Sequence, residues 1–135
     1  MNRLLSPEPI WGNHALGLVR IVIGLLMVYH GHEVFRPELM KSYTEWEVFK
    51  GPAGLLKVYA GKTAELLAGI SLTLGLITRL GALLLAGTLG FITFFVGGGR
   101  FWYEDQHPFM FVLFGLLYFM MGPGSFSIDE RLKKS

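Results

Sequence analysis

The 135-residue sequence contains no cysteine and few charged residues. Without cysteine, the chain alone has no disulfide, no CxxC redox motif, no cysteine-ligated zinc and no iron–sulfur cluster. Charged residues make up 16% of the chain, against about 25% in a typical soluble domain. The net charge is only +2, which gives no basis for a nucleic-acid-binding surface. Redox chemistry through a protein thiol and recognition of nucleic acid are therefore both excluded for this chain.

Hydrophobic residues are abundant instead, at 52% of the chain. Four apolar runs approach the length of about 20 residues that a helix needs to cross the hydrocarbon core of a bilayer. They cover residues 15–35, 58–77, 80–97 and 108–122. Because backbone groups in lipid must be hydrogen-bonded internally, each run is expected to be helical. The sequence predicts an all-α membrane protein with a single domain, residues 1–135, folded as a four-transmembrane-helix bundle.

The predicted topology has two distinct sides. Four spans put both termini and the Thr78-Arg79 turn on one side of the membrane, side A, and segments 36–57 and 98–107 on the other, side B. The first run is too long for a signal peptide and no small-residue cleavage site follows it, so we expect it to persist as a span. Lys and Arg are equally frequent on the two sides. The positive-inside rule therefore leaves the orientation open.

The segment between the first two spans has a helical period. Met40, Tyr43, Trp46 and Phe49 recur about every three residues, with charged residues between them. This pattern predicts a short amphipathic helix lying in the membrane interface. On the same side, Trp102 belongs to an aromatic triplet that we expect to anchor at the headgroups.

Small residues recur at helical spacing in the predicted spans. Gly17, Gly24 and Gly31 lie seven residues apart on the first span, and Gly61 and Gly69 share a stripe on the second. Such residues let membrane helices approach closely. We therefore assign these glycines to helix packing, which suits a monomer and a homodimer equally.

Two charged residues fall well inside predicted spans, where each costs roughly 2.5–3.5 kcal/mol on insertion scales. Arg20 lies about one turn from side A, so its guanidinium either snorkels to the headgroups or is held by a hydrogen bond or ion pair inside the bundle. Glu65 lies about two turns from side B and must be protonated, paired or facing water. Lys62, one turn earlier, is its local candidate partner, and Arg20 is the interhelical one.

Ionisable side chains gather at side B. His30 and Glu33 share a face at the end of the first span, and Lys62, Glu65 and His107 lie at the same end. Four interpretations fit: a metal site built from the histidines and glutamates, a haem held by the two histidines, a quinone-like pocket with protonatable groups and apolar walls, or side chains simply solvated at the interface. No familiar ligand spacing supports a metal, and we find no haem, flavin or iron–sulfur motif.

Three segments resemble the DoxX family of small bacterial four-span membrane proteins. They are LVRIVIGLLMVYHGHE, GKTAELLAGISLTLGLITRLGALLLAG and GPGSFSIDERL, and together they extend over nearly the whole chain. The positions that match the family pattern are Arg20, His30, Gly31, Glu65, Thr78, Arg79 and Asp129. One departure is the lysine that many members have after the glycine of the first span, because His32, Glu33 and then Arg36 occupy that neighbourhood here.

The resemblance implies a multi-pass protein of the bacterial cytoplasmic (inner) membrane with its termini in the cytoplasm, which would turn side B outward. It also implies association with oxidoreductases, because members are linked to thiosulfate:quinone oxidoreductase and to membrane complexes that handle thiol or oxidative stress. Since the chain has no redox motif of its own, we expect it to act with a soluble or membrane oxidoreductase partner.

We therefore predict a membrane subunit of a quinone-linked oxidoreductase, with quinone as its cofactor, in sulfur-compound or oxidative-stress metabolism. The predicted catalytic residues are Glu65, His30 and His107, with Glu65 as the buried acid and the histidines as proton-handling groups. The predicted cofactor-binding residues are Arg20, Glu33, Lys62 and Trp102, and no metal is predicted. The alternative is a non-catalytic membrane scaffold or small-solute carrier.

Overall fold

The computed structural model describes residues 2–135, in which all regular secondary structure is helical. The α-helices are α1 (Gly12–Gly31), α2 (Pro37–Tyr43), α3 (Gly54–Leu74), α4 (Thr78–Phe91), α5 (Gln106–Met121) and α6 (Ile128–Lys134). A π-helical segment, Ile92–Val96, prolongs α4, and short 3-10 helices cover Arg3–Leu5, His32–Phe35 and Glu47–Phe49. The predicted all-α class is confirmed.

Two helices are long and apolar enough to cross a membrane. They are Gly12–Phe35, with 24 residues, and Thr78–Val96, with 19 residues. Helix α3 has 21 residues but contains three charged ones, Lys57, Lys62 and Glu65. Helix α5 is apolar and has 16 residues. The structure therefore agrees with a membrane protein in which α1 and α4 have the character of spanning helices.

The helix between the first two long helices is shorter than the sequence predicts. Helix α2 begins at Pro37, whose locked φ suits the first position of a helix. It ends at Tyr43, and only a single 3-10 turn covers Glu47–Phe49. Met40 is fully buried, while Trp46 remains 48% exposed. The predicted apolar face is thus divided between a helix and a separate turn.

Helix α1 packs against α3, α3 against α4, and α4 against α5. Glycines bring the backbones of α1 and α3 into contact. A Cβ at Gly24 would collide with the backbone of Thr73, one at Gly31 with the backbone of Leu66, and one at Gly69 would lie 2.6 Å from the Val28 amide nitrogen. The predicted packing role is confirmed for these glycines, which lie at the close contact between the two helices.

Arg20 is fully buried and does not snorkel. Its Nε donates to the carbonyl of Leu72 at 2.8 Å, and Nη2 donates to the carbonyl of Phe126 at 2.7 Å. Nη1 donates to the carbonyls of Pro123 and Ser125. The guanidinium thus joins α1 to the end of α3 and to residues 122–127, which we call the C-terminal strap. The expectation of a buried anchor is confirmed, and those of snorkelling or pairing with Glu65 are wrong.

The turn between α3 and α4 is closed by the start of α6. Gly75 and Ile77 have φ values of 66° and 45°, and the Asp129 amide donates to the Gly75 carbonyl at 2.9 Å. The Asp129 carboxylate accepts hydrogen bonds from the amides of Ile77 and Thr78 at 2.7 and 2.8 Å. It therefore satisfies N–H groups at the start of α4 that have no partner within that helix.

The contact with Asp129 is expected to make stability depend on pH. Burial alone would raise the pKa of Asp129, but the amide hydrogen bonds from Thr78 and Ile77 outweigh burial and lower it. A carboxyl whose folded pKa is below its unfolded value stabilises the fold above the unfolded pKa and loses that contribution as the pH falls through the folded pKa. We expect Asp129→Asn to reduce the free energy of unfolding by about 1 kcal/mol at neutral pH, the usual value of a helix cap.

The measurement is the melting temperature in detergent from neutral to acidic pH. The gap between wild type and Asp129→Asn should narrow as the pH falls. Glu47→Gln, whose side chain is 90% exposed, should follow the wild type throughout. A gap that does not change with pH would show that the Asp129 charge has no part in closing the turn.

Candidate functional site

A cavity of about 900 Å³ lies at the end of the long helices where His30 and His107 are found. Residues of all four long helices line it, together with Tyr43 of α2 and aromatic residues that follow it. Most of its wall is apolar, and side chains such as Met27, Phe95 and Phe111 contribute to it. The polar groups that reach it include His30, Lys62, Glu65 and His107. An apolar cavity with a few convergent polar groups is the usual form of a small-molecule site.

Glycines of α3 and α4 show where the two helices touch and where they leave space. Near the turn the helices touch, since a Cβ at Gly81 would collide with the Ser71 side chain. At the other end, a Cβ at Gly61 or Gly87 would meet no atom within 4 Å, and both glycines line the cavity. Gly61 therefore does not pack against a neighbouring helix, contrary to the sequence prediction, and instead leaves space beside Glu65.

Three charged side chains, Glu33, Lys62 and Glu65, form a connected group that we call the charge cluster. Lys62 Nζ lies 2.9 Å from Glu33 Oε2 and 3.1 Å from Glu65 Oε2. The exposed fraction of the side chain falls from 24% at Glu33 to 15% at Lys62 and 5% at Glu65. The predicted Lys62–Glu65 pair is confirmed, and Glu33 extends it towards the surface.

Tyr43 completes the outer end of the charge cluster. Its hydroxyl donates to Glu33 Oε2 at 2.8 Å, and Lys62 Nζ lies 5.3 Å from the centre of its ring. Burial and the hydrogen bond to Glu33 raise the pKa of Tyr43, so it remains a protonated donor at neutral pH. The contact between Tyr43 and Glu33 was not predicted, because Tyr43 was assigned to the apolar face of the interfacial helix. Tyr43 is the one residue of that face with a hydroxyl group, which could have indicated a polar role.

Glu65 presents a free acceptor to the cavity. Oε2 is bound by Lys62, whereas Oε1 makes no hydrogen bond to any residue in 2–135. Only 5% of the Glu65 side chain is exposed, and the residue lines the cavity. Oε1 is accessible from the cavity, since among residues 2–135 only the Thr78 hydroxyl is a fully buried side-chain polar atom without a partner. Oε1 is well suited to bind a hydrogen-bond donor that enters the cavity.

His30 of α1 and His107 of α5 meet at the cavity. Their ring centres are 6.2 Å apart in an edge-to-face arrangement, and His107 also contacts the Phe111 ring at 5.5 Å. The two predicted proton-handling residues are therefore brought together with Glu65. Within residues 2–135, no three His, Asp or Glu side chains are grouped so that they could hold a metal ion.

Two predicted cofactor-binding residues lie away from the cavity. Trp102 is 65% exposed in the segment between α4 and α5 and does not line it. Arg20 lies ten residues before His30 on α1, which is about 15 Å along the helix axis, and its donors are bound by backbone carbonyls. The structure thus gathers Glu65, His30, His107, Lys62 and Glu33, but neither Trp102 nor Arg20.

Comparison with known proteins identifies one family. The sequence model described as DoxX matches residues 15–98, which is more than half of the chain and contains α3, α4, most of α1 and the charge cluster. No curated protein and no solved structure matches the chain.

Proposed function

The chain belongs to the DoxX family, and on that premise we propose that it is the membrane subunit of a quinone-linked oxidoreductase. The observation that supports this proposal is the cavity of about 900 Å³, with apolar walls and with His30, Lys62, Glu65 and His107 at one end. A quinone has a flat headgroup with two carbonyl oxygens and a long apolar tail. The apolar wall of the cavity suits the tail, and its polar side chains suit the oxygens of the headgroup.

The residues fit a quinone as follows. His30, His107 and Lys62 carry N–H groups that can donate to its carbonyl oxygens. Glu65, the acidic residue of α3, lines the same cavity. When bound, quinone supplies two-electron chemistry in which each oxygen gains or loses one proton. The protein orients the headgroup through its donors, keeps bulk water from the apolar wall, and holds a transferable proton at the Glu65 carboxyl.

The proposed membrane arrangement uses α1, α3, α4 and α5 as four spans. The charges of α3 are compatible with a span because Lys62 and Glu65 pair with each other inside the protein. Lys57 is exposed in the first turn of the helix, near its end. Helix α5 is about 24 Å long, shorter than the hydrocarbon core of about 30 Å, and its flanking residues complete the crossing. We place the chain in the bacterial inner membrane with cytoplasmic termini, and assign the source or acceptor of electrons to a partner subunit.

Loss of the Glu65 carboxyl proton is expected to weaken quinone binding. The protein, purified gently, is examined by native mass spectrometry and by extraction of bound quinone. Glu65→Gln should lower quinone occupancy severalfold, because the protonated carboxyl that donates to a quinone oxygen is lost and a neutral hydrogen bond contributes about 0.5–1.5 kcal/mol. Glu47→Gln is the matched surface control. Wild-type protein that carries only bulk phospholipid would favour a scaffold or a small-solute carrier instead.

Filling the cavity tests the same proposal without touching a charge. Gly61 has open space around it and lies one turn before Glu65, so Gly61→Phe is expected to fold normally and to abolish quinone binding. Gly61→Ala, the matched control, adds one methyl group and should retain the quinone. If both variants retained it, the ligand would not lie in this cavity.

A further inference from the structure

We propose that the charge cluster is a path along which protons pass from water at side B into the cavity, an inference that rests on the proposed function. Glu33, Lys62 and Glu65 are joined by contacts of 2.9 and 3.1 Å. The exposed fraction of the side chain decreases from Glu33 through Lys62 to Glu65, so the path runs inward from Glu33 to Glu65. Its outer member meets water, and its inner member meets the cavity.

The two ends of the path differ in their surroundings. Glu33 does not line the cavity and is held by the Tyr43 hydroxyl at 2.8 Å, so Tyr43 acts as a positioning residue for it. Glu65 lines the cavity and has Oε1 free. Lys62 lies between them and contacts both carboxylates through the same nitrogen. A proton that enters at Glu33 therefore has one short route inward.

The charges of the cluster favour an exchangeable proton. Two ionised carboxylates and one ammonium leave a net charge of −1, which is costly in a buried site. One added proton makes the cluster neutral. The other titratable groups that face it are His30 of α1 and Tyr43 of α2, with His107 of α5 behind His30.

The transfer is balanced at each step. Glu65 gives its proton to an oxygen of the molecule in the cavity, Lys62 gives one to Glu65, and Glu33, protonated from water, restores Lys62. Each step breaks one bond to hydrogen and forms another, so the cluster is unchanged and one proton has moved. In the proposed function, that oxygen belongs to a quinone that receives its electrons from a two-electron donor, a dithiol or a reduced flavin, on the partner subunit.

Infrared spectroscopy of the purified, quinone-free protein tests the path. The C=O stretch of a protonated carboxyl shifts when its hydrogen is replaced by deuterium, so transfer into D₂O reports the exchange rate. We expect a protonated carboxyl band that Glu65→Gln removes. We expect Glu33→Gln to slow its exchange by at least about tenfold, which corresponds to about 1.4 kcal/mol of barrier. Tyr43→Phe should slow it less, because the path remains continuous.

Glu47→Gln, which changes a surface ion pair with Lys50, should leave band and exchange rate unaltered. A wild-type protein without the band would overturn the proposal, as would exchange that is equally fast in Glu33→Gln. Since no quinone is present, these outcomes are separate from those of the quinone-binding experiment. Exchange as expected without quinone binding would leave the path standing and remove the proposed function.

Discussion

Replacement of Arg20 by methionine is expected to lower the free energy of unfolding by about 3–5 kcal/mol, because it leaves several buried backbone carbonyls without a donor. The methionine side chain is unbranched like that of arginine but has no hydrogen-bond donor. The carbonyls of Leu72, Ser125 and Phe126 would lose hydrogen bonds of 2.8, 3.1 and 2.7 Å, and Arg20 is fully buried, so little water can replace it. Each unsatisfied buried carbonyl costs roughly 1–3 kcal/mol.

The measurement is the free energy of unfolding in detergent, obtained from reversible unfolding, or the melting temperature. Arg79→Met provides the matched control, because Arg79 is exposed and its Nε donates only to the Phe119 carbonyl, at 3.1 Å. It should cost less than about 1 kcal/mol, as for ordinary surface changes. Arg20→Lys keeps the charge but loses the planar fork of donors, and should fall between the two. Equal stability of Arg20→Met and Arg79→Met would contradict the anchoring role.

Gly24→Val is expected to destabilise the protein by about 3 kcal/mol, the upper end of the usual cost of overpacking. Any Cβ at this position meets the backbone of Thr73, and a backbone cannot move aside as a flexible side chain can. The branched side chain would therefore force α1 and α3 apart along their whole contact.

The control for Gly24→Val is Gly87→Ala, at a glycine with no atom within 4 Å of an added Cβ. This change should be neutral or stabilising, because alanine favours a helix over glycine by up to about 1 kcal/mol. Unfolding of both variants in detergent gives the comparison. A Gly24→Val protein as stable as the wild type would mean that α1 and α3 are further apart than described.

The sequence predicts local features of this fold well. Apolar runs locate the long helices to within a few residues, because burial in lipid demands continuous hydrophobicity. The Lys62–Glu65 pair is also predictable, since residues three apart on a helix face each other. The spacing of Gly24 and Gly31 likewise indicates the face of α1 that meets α3.

Long-range features were not predictable from the sequence. Three of the four acceptors of Arg20 are backbone carbonyls more than 100 residues away, and a carbonyl has no signature in the sequence. Gly61 and Gly69 share a stripe on α3, yet a Cβ at Gly69 would meet the backbone of α1 whereas one at Gly61 would meet nothing within 4 Å, a difference that their spacing does not reveal. The contact of Tyr43 with Glu33 depends on how α2 folds back.

The C-terminal strap imposes an order on biosynthesis. Arg20 enters the membrane with α1, but its acceptor at Pro123 is 103 residues later in the chain. At a translation rate of roughly 5–20 residues per second, the ribosome needs on the order of 5–20 s to make that stretch. During this interval the arginine lacks three of its four final acceptors. The helices can therefore reach their final arrangement only after residues 123–126 have left the ribosome, and a chain truncated after α5 would lack these three acceptors.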